Sequence, residues 1–583
     1  MLNNPLIPGD PYSYDLKWLV AKVKEILAQL GTLDEAIEAK IFEGFLEHSV
    51  VQFKTVAEML AADITDGSIV LTLGYHEAGD QGGLFYLVKD FNPAQCALDY
   101  FLTLDNNKQI AIPVIVTPYV TPEMFGAYGN GTEDDAAAFE HSLVYERVQL
   151  TAHKTYAIDY QTDVTLNNPL ILEGNGATLK GFTFNADGVD GIQIRGIHIV
   201  DANKSLNFDN CENVTVEDST FEGEPTFASP RFVTIRNSKH VTVKNCLVTN
   251  TQYGVFAQVF QAGRSEDVNV TGCRFVNTQR YSYPGAVCVY EANNVRVTDC
   301  YFENIQHTAS PYADGYGVYS GDFVYHDIGA ITVMGCQFEA CGRGIRIHQS
   351  EALNITGNRI NDSIQQAILV DASPTLNGNT MKGAIIADNV MTSYVDIGGS
   401  CDDALVTGND ISGVYGVYIE ATGTPATHPK RPAVIGNHIH DTERGGVAVQ
   451  SADDPVVSGN SIVNFNTSAY SSSDYRSGGI GFNSGVSNPT AIGNAIQAPA
   501  AAAFAINFAD QTVKRNYKGN TFDMATNAIY GGYNGAPTQG KWARGESVEY
   551  INPQNAGYIG AVCTVSGDFS GTAPTFRQYG ALA

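Results

Sequence analysis

The chain has 583 residues, with 34 Lys and Arg against 62 Asp and Glu, for a formal net charge of −28. Such an acidic chain repels phosphate backbones and anionic lipid, which excludes nucleic acid and membrane surfaces as favoured partners. No apolar run is long enough to span a bilayer, and the N-terminal MLNNPLIPGDPYSYDLKW has no basic flank before an apolar core, so neither membrane insertion nor a secretory leader is expected. The 10 Cys include no CxxC pair, which argues against a zinc site or a disulfide framework and fits synthesis in a reducing cytoplasm.

Residues 1–50 read as helical. Leu16, Val20, Val23, Leu27 and Leu30 repeat with heptad spacing, with Ser13 as a cap and Gly31 as a stop. Thr32 and Glu35 form a capping box for a second helix that carries Ile37 and Ile41. Such a seam either packs on its own domain or serves oligomerisation and docking. Residues 51–118 read as a small β-rich module. A short helix is predicted at Val56–Ala62 and strands at Ser68–Leu73 and Gly83–Val88, with Gly79 and Gly82 in the turn between.

Residues 119–143 are YVTPEMFGAYGNGTEDDAAAFEHSL. Gly129 and Gly131 allow a tight turn, and Asp134 and Asp135 favour a helix N-terminus. Phe139 and Leu143 then face back into the following domain as a plug. Phe125-Gly126, Gly129-Asn130-Gly131, Asp134-Asp135 and Ala138-Phe139 resemble the entry motif of pectate-lyase-like β-helix proteins, which bacteriophage tailspikes share. The preceding stretch VAEMLAADITDGSIVLTLGYHEAGDQGGLFYLV resembles the small head module of such tailspikes.

The first coils are expected at residues 144–208. The body that follows repeats. VTVKNCLV, VNVTGCRF and VRVTDCYF set Cys246, Cys273 and Cys300 at a 27-residue period, preceded by Ser219 and followed by Cys336. Apolar residues alternate before each anchor, which argues short strands. Downstream the anchor becomes Asn, usually after Gly, at Asn358, Asn409, Asn437, Asn460, Asn494 and Asn520, with Asn379 and Asn389 both available for an intervening coil. A repeat that cannot bury its own apolar face must stack on its neighbours. The fold class predicted for 119–530 is therefore all-β, a right-handed parallel β-helix, its coils about 4.8 Å apart and a dozen of them roughly 60 Å long. The Cys anchors form an interior stack of small apolar groups, and the Asn anchors hydrogen-bond along theirs. Residues 531–583 break the pattern with Gly, Tyr and Trp among short β segments, and resemble the small C-terminal β module of phage tail and fibre proteins.

Counting back ten residues from the anchors reaches an outward strand position held by Asp209, Arg236, Tyr290, His326, His348 and Gln450. Strand alternation adds Asp371 from AILVD and Glu420 from GVYIE, with Asp396 of SYVDIGG level with Arg346 of GIRIH. One outward face should thus carry Arg346, His348, Asp371, Asp396 and Glu420. Carboxylates one coil apart on a diagonal, or two coils apart directly, stand roughly 7 to 10 Å apart. That suits inverting glycoside hydrolysis, and neighbouring acids raise one another's pKa. The expected catalytic set is Asp371, Asp396 and Glu420. The expected substrate contacts are Arg346, His348, His326, Tyr290, Tyr319 and Tyr418. The competing reading is an ordinary polar, solvated sheet face.

The long coil between Cys300 and Cys336 interleaves Tyr301, Tyr312, Tyr316, Tyr319 and Tyr325 with Glu303, Asp314, Asp322 and Asp327, a composition for stacking on sugars or for contact between subunits. His307, His326 and these acids lack metal-ligand spacing, so no metal and no cofactor is expected. The resemblance implies a virion-bound homotrimer, made in the host cytoplasm, attached to tail proteins through its N-terminus and cleaving a bacterial surface polysaccharide; the outward acidic row suggests that the cleavage is hydrolysis. Alternatives are a non-catalytic receptor-binding fibre, or a lyase in which Arg346 or His348 abstracts the proton beside a uronate carboxyl.

Overall fold

The computed structural model describes residues 50–91, 100–158, 163–223, 230–258, 264–278, 285–290, 292–306, 315–321, 328–348, 350–372 and 381–422. Towards the C-terminus it describes residues 427–468, 474–497, 504–510, 514–523, 529–530, 532–533, 535–538, 541–550, 557–569 and 571–582. The predicted N-terminal helices, Asn379 and His326 lie outside the described residues. The chain falls into two compact units, Met1–Asn207 with Cys211–Phe221, and Phe208–Asn210 with Glu222–Ala583.

In the first unit a five-stranded sheet runs in the order Val51–Phe53, Ile69–Thr72, Phe85–Asp90, Gln109–Val114, Leu102–Thr103. The helix Val56–Leu60 starts at Thr55, whose side chain accepts from the Glu58 N–H. Both predicted strands and the helix are therefore present, each shifted by a residue or two. The Gly-rich turn closes on Asp80, whose carboxylate accepts the N–H groups of Tyr75, His76, Glu77 and Gly82. The helix Ala136–Ser142 inserts Phe139, fully buried, against Tyr156 and Phe182 at 6.0 and 5.3 Å between ring centroids. Phe139 is thus the expected plug. Asp135 accepts the N–H groups of Tyr128 and Ala157 at 2.7 and 3.1 Å, so it ties the glycine turn to the first coils.

The second unit is built of three-stranded coils. Lys239–Lys244, Leu247–Thr249 and Tyr253–Gln258 make one; Ser265–Thr271, Arg274–Val276 and Gly285–Val289 make the next. Each strand pairs in parallel with its equivalent in the adjacent coil. The register is exact to the residue: Val241, Val268, Val295, Ile331 and Leu353 fall in one row. Inside, Phe275, Phe302 and Phe338 stack at 5.2 and 4.6 Å. The fold is an all-β parallel β-helix.

The anchors sit where expected. Cys246, Cys273, Cys300 and Cys336 are buried, and the N–H of each of Cys246 and Cys300 points at the next sulfur at 3.5 Å. Asn389, not Asn379, supplies the intervening coil. The ladder runs Asn358, Asn389, Asn409, Asn437, Asn460, Asn494, Asn520, each Nδ2 donating to the next Oδ1 at 2.9 Å. The Gly that precedes most of these asparagines has a local cause. It adopts the left-handed region, as at Gly408 and Gly436 (φ 65° and 67°), to turn the corner between two strands.

Candidate active site

The third sheet of the second unit brings the sequence-selected residues together. One row across its strands reads Cys288, Tyr319, Arg346, Leu369, Asp396, Tyr418, Ala448. Two residues further along the strands, Asp371 pairs with Gly398, and Gly398 with Glu420. Asp371 and Glu420 therefore face each other two strands apart, about 9.6 Å by backbone spacing, with no side chain rising between them. A Cβ on Gly398 would start 2.7 Å from Thr422 Cγ2 and 3.4 Å from Asp371 Cβ, so the slot is closed on one side by Thr422.

Asp371 has basic neighbours. His348 Nδ1 lies 2.7 Å from its Oδ1, close but not aligned as a hydrogen bond, and Arg346 Nη2 lies 3.8 Å from its Oδ2. Arg346 Nη1 also donates to the Tyr316 hydroxyl at 2.8 Å, and its guanidinium lies 5.6 Å from the Tyr316 ring centroid. Burial pushes the Arg346 pKa down, but Asp371 and Tyr316 more than offset it and hold the group charged.

Asp396 is 3 % exposed. Burial first, then the nearby Glu420, hold its carboxyl well above the usual range; the Gln366 amide, donating to Oδ2 at 3.1 Å, pulls the other way. Its Oδ1 has no hydrogen-bond partner. Glu420 is raised by burial and then by Asp371. Two protonatable acids thus stand beside one acid with basic neighbours, a division of labour that acid–base chemistry needs.

Several expectations are corrected. The outward face is not solvated here: Asp396 and His348 are both buried. Tyr290 and Tyr319, expected to stack on sugar, are 8 % and 4 % exposed and pack with Tyr253, Phe256, Cys288 and Tyr316. The cause is composition, because that stretch of the row is aromatic and closes on itself, with Arg231 over the Phe256 ring at 4.7 Å. Tyr418 keeps a half-buried place beside Asp396, stacked on Tyr415 at 5.1 Å and donating to Gln450 Oε1 at 3.1 Å. Asp209 and Arg236, at the far end of the row, pair with each other at 2.6 Å. In the C-terminal module Trp542 is 3 % exposed and packs on Phe576, so it offers no open ring.

Sequence reasoning missed Arg343 and Gln366, and placed Tyr316 only among the long-coil tyrosines, as a candidate for stacking on sugars or for contact between subunits. Arg343 Nε donates to Gln366 Oε1 at 2.7 Å, which orients the amide that reaches Asp396. Tyr316 and Arg343 open their strands, and alternation counted from the anchors assigns those positions to the interior. Gly398 was also legible, as the gap between two acids in equivalent strands. A separate pocket of about 860 Å³, lined by Asp454, Asn488, Lys514, Trp542, Glu546 and Asp568, includes none of these acids. Lys514 and Glu546 pair across it at 2.7 Å. The two acids whose carboxyls burial raises, Asp396 and Glu420, stand in the acid row and not at this pocket.

The chain matches the family described as "Right handed beta helix region" over residues 153–318 and 231–411. No curated protein sequence matches it. Among solved structures it is similar to tailspike protein 3 of bacteriophage CBA120, at 12 % identity and TM-score 0.43, covering 81 % of this chain and 73 % of that one. It is similar to a point mutant of the tailspike of E. coli bacteriophage HK620 in complex with a pentasaccharide, at 12 % identity and TM-score 0.46, covering 80 % and 94 %. It is also similar to PfbA, a surface adhesin of Streptococcus pneumoniae, at 13 % identity and TM-score 0.39, covering 79 % and 100 %.

Proposed function

We propose that this right-handed parallel β-helix protein is a tailspike-type depolymerase, a virion-bound homotrimer that binds a bacterial surface polysaccharide and hydrolyses its glycosidic bonds. One observation carries the reading: Asp371 and Glu420 face each other across Gly398, with the protonatable Asp396 alongside. Their spacing of about two strands is close to the range in which inverting glycosidases fit a water between acid and base.

In this reading Asp371 takes a proton from a water, whose oxygen bonds to the anomeric carbon as the carbon–oxygen bond to the leaving sugar breaks. Glu420 gives its proton to the departing oxygen. Burial first, and then Asp371, raise the Glu420 carboxyl above its ordinary range, which helps keep that proton available. Arg346, held charged, and Tyr418 contact the sugar. The charged state of Arg346 makes it an anion-binding group and a poor base, which disfavours the lyase route through that residue. The entry motif at residues 125–139 and the heptad seam at 16–30 support the virion attachment and trimer parts of the reading.

The test is incubation of purified protein with capsule and O-polysaccharide from a host panel. New reducing ends, and products heavier by one water than the lyase equivalents, are expected. Asp371→Asn and Glu420→Gln should each lower turnover by about 10²-fold or more while retaining glycan binding. Unsaturated uronate absorbance would replace hydrolysis with elimination. Binding without any product would leave a receptor-binding fibre.

A further inference from the structure

We propose that Asp410, His438 and His440, on the second sheet and apart from the acid row, form a binding site for a divalent transition metal of the Zn²⁺ type. Asp410 pairs with His438 in the register of adjacent coils, and His440 follows two residues later on the same strand face. One ligand atom from each of the three lies within 4.8 Å of the others. The imidazole rings of His438 and His440 stack at 5.1 Å.

The arrangement around His440 asks for a cation. Its Nδ1 lies 2.9 Å from Asp441 Oδ2, and Asp441 is itself held by the Asn464 amide at 2.5 Å. Donation from Nδ1 to that carboxylate leaves the Nε2 lone pair facing outward. Nε2 then meets Asp410 Oδ1 at 3.1 Å, an atom that is buried and has no hydrogen-bond partner. Two lone pairs opposed at that distance repel, and either a proton on Nε2 or a metal ion beside both relieves the repulsion. With metal–ligand bonds of about 2.0 to 2.2 Å, neighbouring donors of a tetrahedral ion stand roughly 3.3 Å apart, close to the separation seen. Two imidazoles and one carboxylate form a three-ligand zinc set with a fourth position open to water. Asp441 takes the part of the outer carboxylate that orients a metal-bound histidine. In the same row Val390 precedes Asp410 and Ser461 follows His438, so no basic side chain of those neighbours competes for the carboxylate. Asp410 lies a full coil before the histidines, so no local sequence motif reveals the set.

Calorimetric titration of the chelator-treated full chain with ZnCl₂ should give one saturable site per chain. His440→Ala, His438→Ala and Asp410→Asn should each abolish it, and Asp441→Asn should weaken it by about 10- to 100-fold. Each variant is checked for a wild-type circular dichroism spectrum and melting point without metal. Co²⁺ in place of Zn²⁺ should give the visible absorption of a tetrahedral site in the wild type and not in His440→Ala. Absence of saturable Zn²⁺ binding by the wild type overturns the assignment. So does unchanged binding by the three ligand variants.

Discussion

Asp396 places an acid where solvent does not reach, and that position has a stability consequence with a definite sign. Asp396 and Glu420 both have folded pKa values raised above those of the unfolded chain. As pH climbs, the unfolded state releases these protons first. Their contribution is complete below the ordinary carboxylate range and drains away as pH rises through the folded values. Asp396→Asn should therefore melt at a higher temperature than the wild type at neutral pH, with the gap closing near pH 4, measured by thermal scans across pH. A gap independent of pH would show that burial does not hold this carboxyl protonated. The same protons set the catalytic profile. Turnover should fall on the alkaline side as Glu420, raised by burial and then by Asp371, ionises. Tyr319 makes a contrasting case. It is buried among aromatic rings, so Tyr319→Ala should cost about 3 to 5 kcal/mol of stability, read from denaturant midpoints, and act on folding before glycan affinity.

At the scale of the coil, the asparagine ladder and the glycine gap both make predictions. Asn437 donates to Val406 O and Asn460 Oδ1 and accepts from the N–H and the amide of Asn409. Asn437→Ala strips partners from several buried groups and should destabilise by about 3 kcal/mol or more. Gly398→Ala should shift Thr422 or Asp371 by some tenths of an ångström, lowering turnover about tenfold with a smaller loss of stability. The rows themselves were legible in the sequence. A two-residue alternation fixes which side chains share a face, and the anchors fix which strands stack, so Arg346, Asp371, Asp396 and Glu420 converge by counting alone. The rest was not legible. Whether an outward face meets solvent depends on side chains that arrive from other strands and turns. That is why Tyr290 and Tyr319 turned out buried, and why Arg343 at the start of a strand and Gln366 just before a strand, which together orient a hydrogen bond to Asp396, were missed. Asn389 was one of two candidates, and only the hydrogen-bond geometry separates it from Asn379.

On the whole-molecule scale the testable statement concerns assembly. Light scattering of the full chain should return the mass of three copies, and removal of residues 1–50 should abolish incorporation into virions. A monomer in solution would remove the trimer from the reading without touching the acid row. The long-range register of the coils also predicts slow folding, because each strand pairs with one from the adjacent coil, roughly twenty to thirty-six residues away in the sequence. The ladder then gives this growth a direction. From Asn358 to Asn494 each side-chain amide gives one hydrogen back to a backbone carbonyl and the other forward to the next asparagine, so each finished coil displays a bare hydrogen that the side-chain carbonyl of the next coil meets. A chain leaving the ribosome N-terminus first would thus carry its own template at the growing tip, and coils fused in reverse order would present the wrong end of the amide.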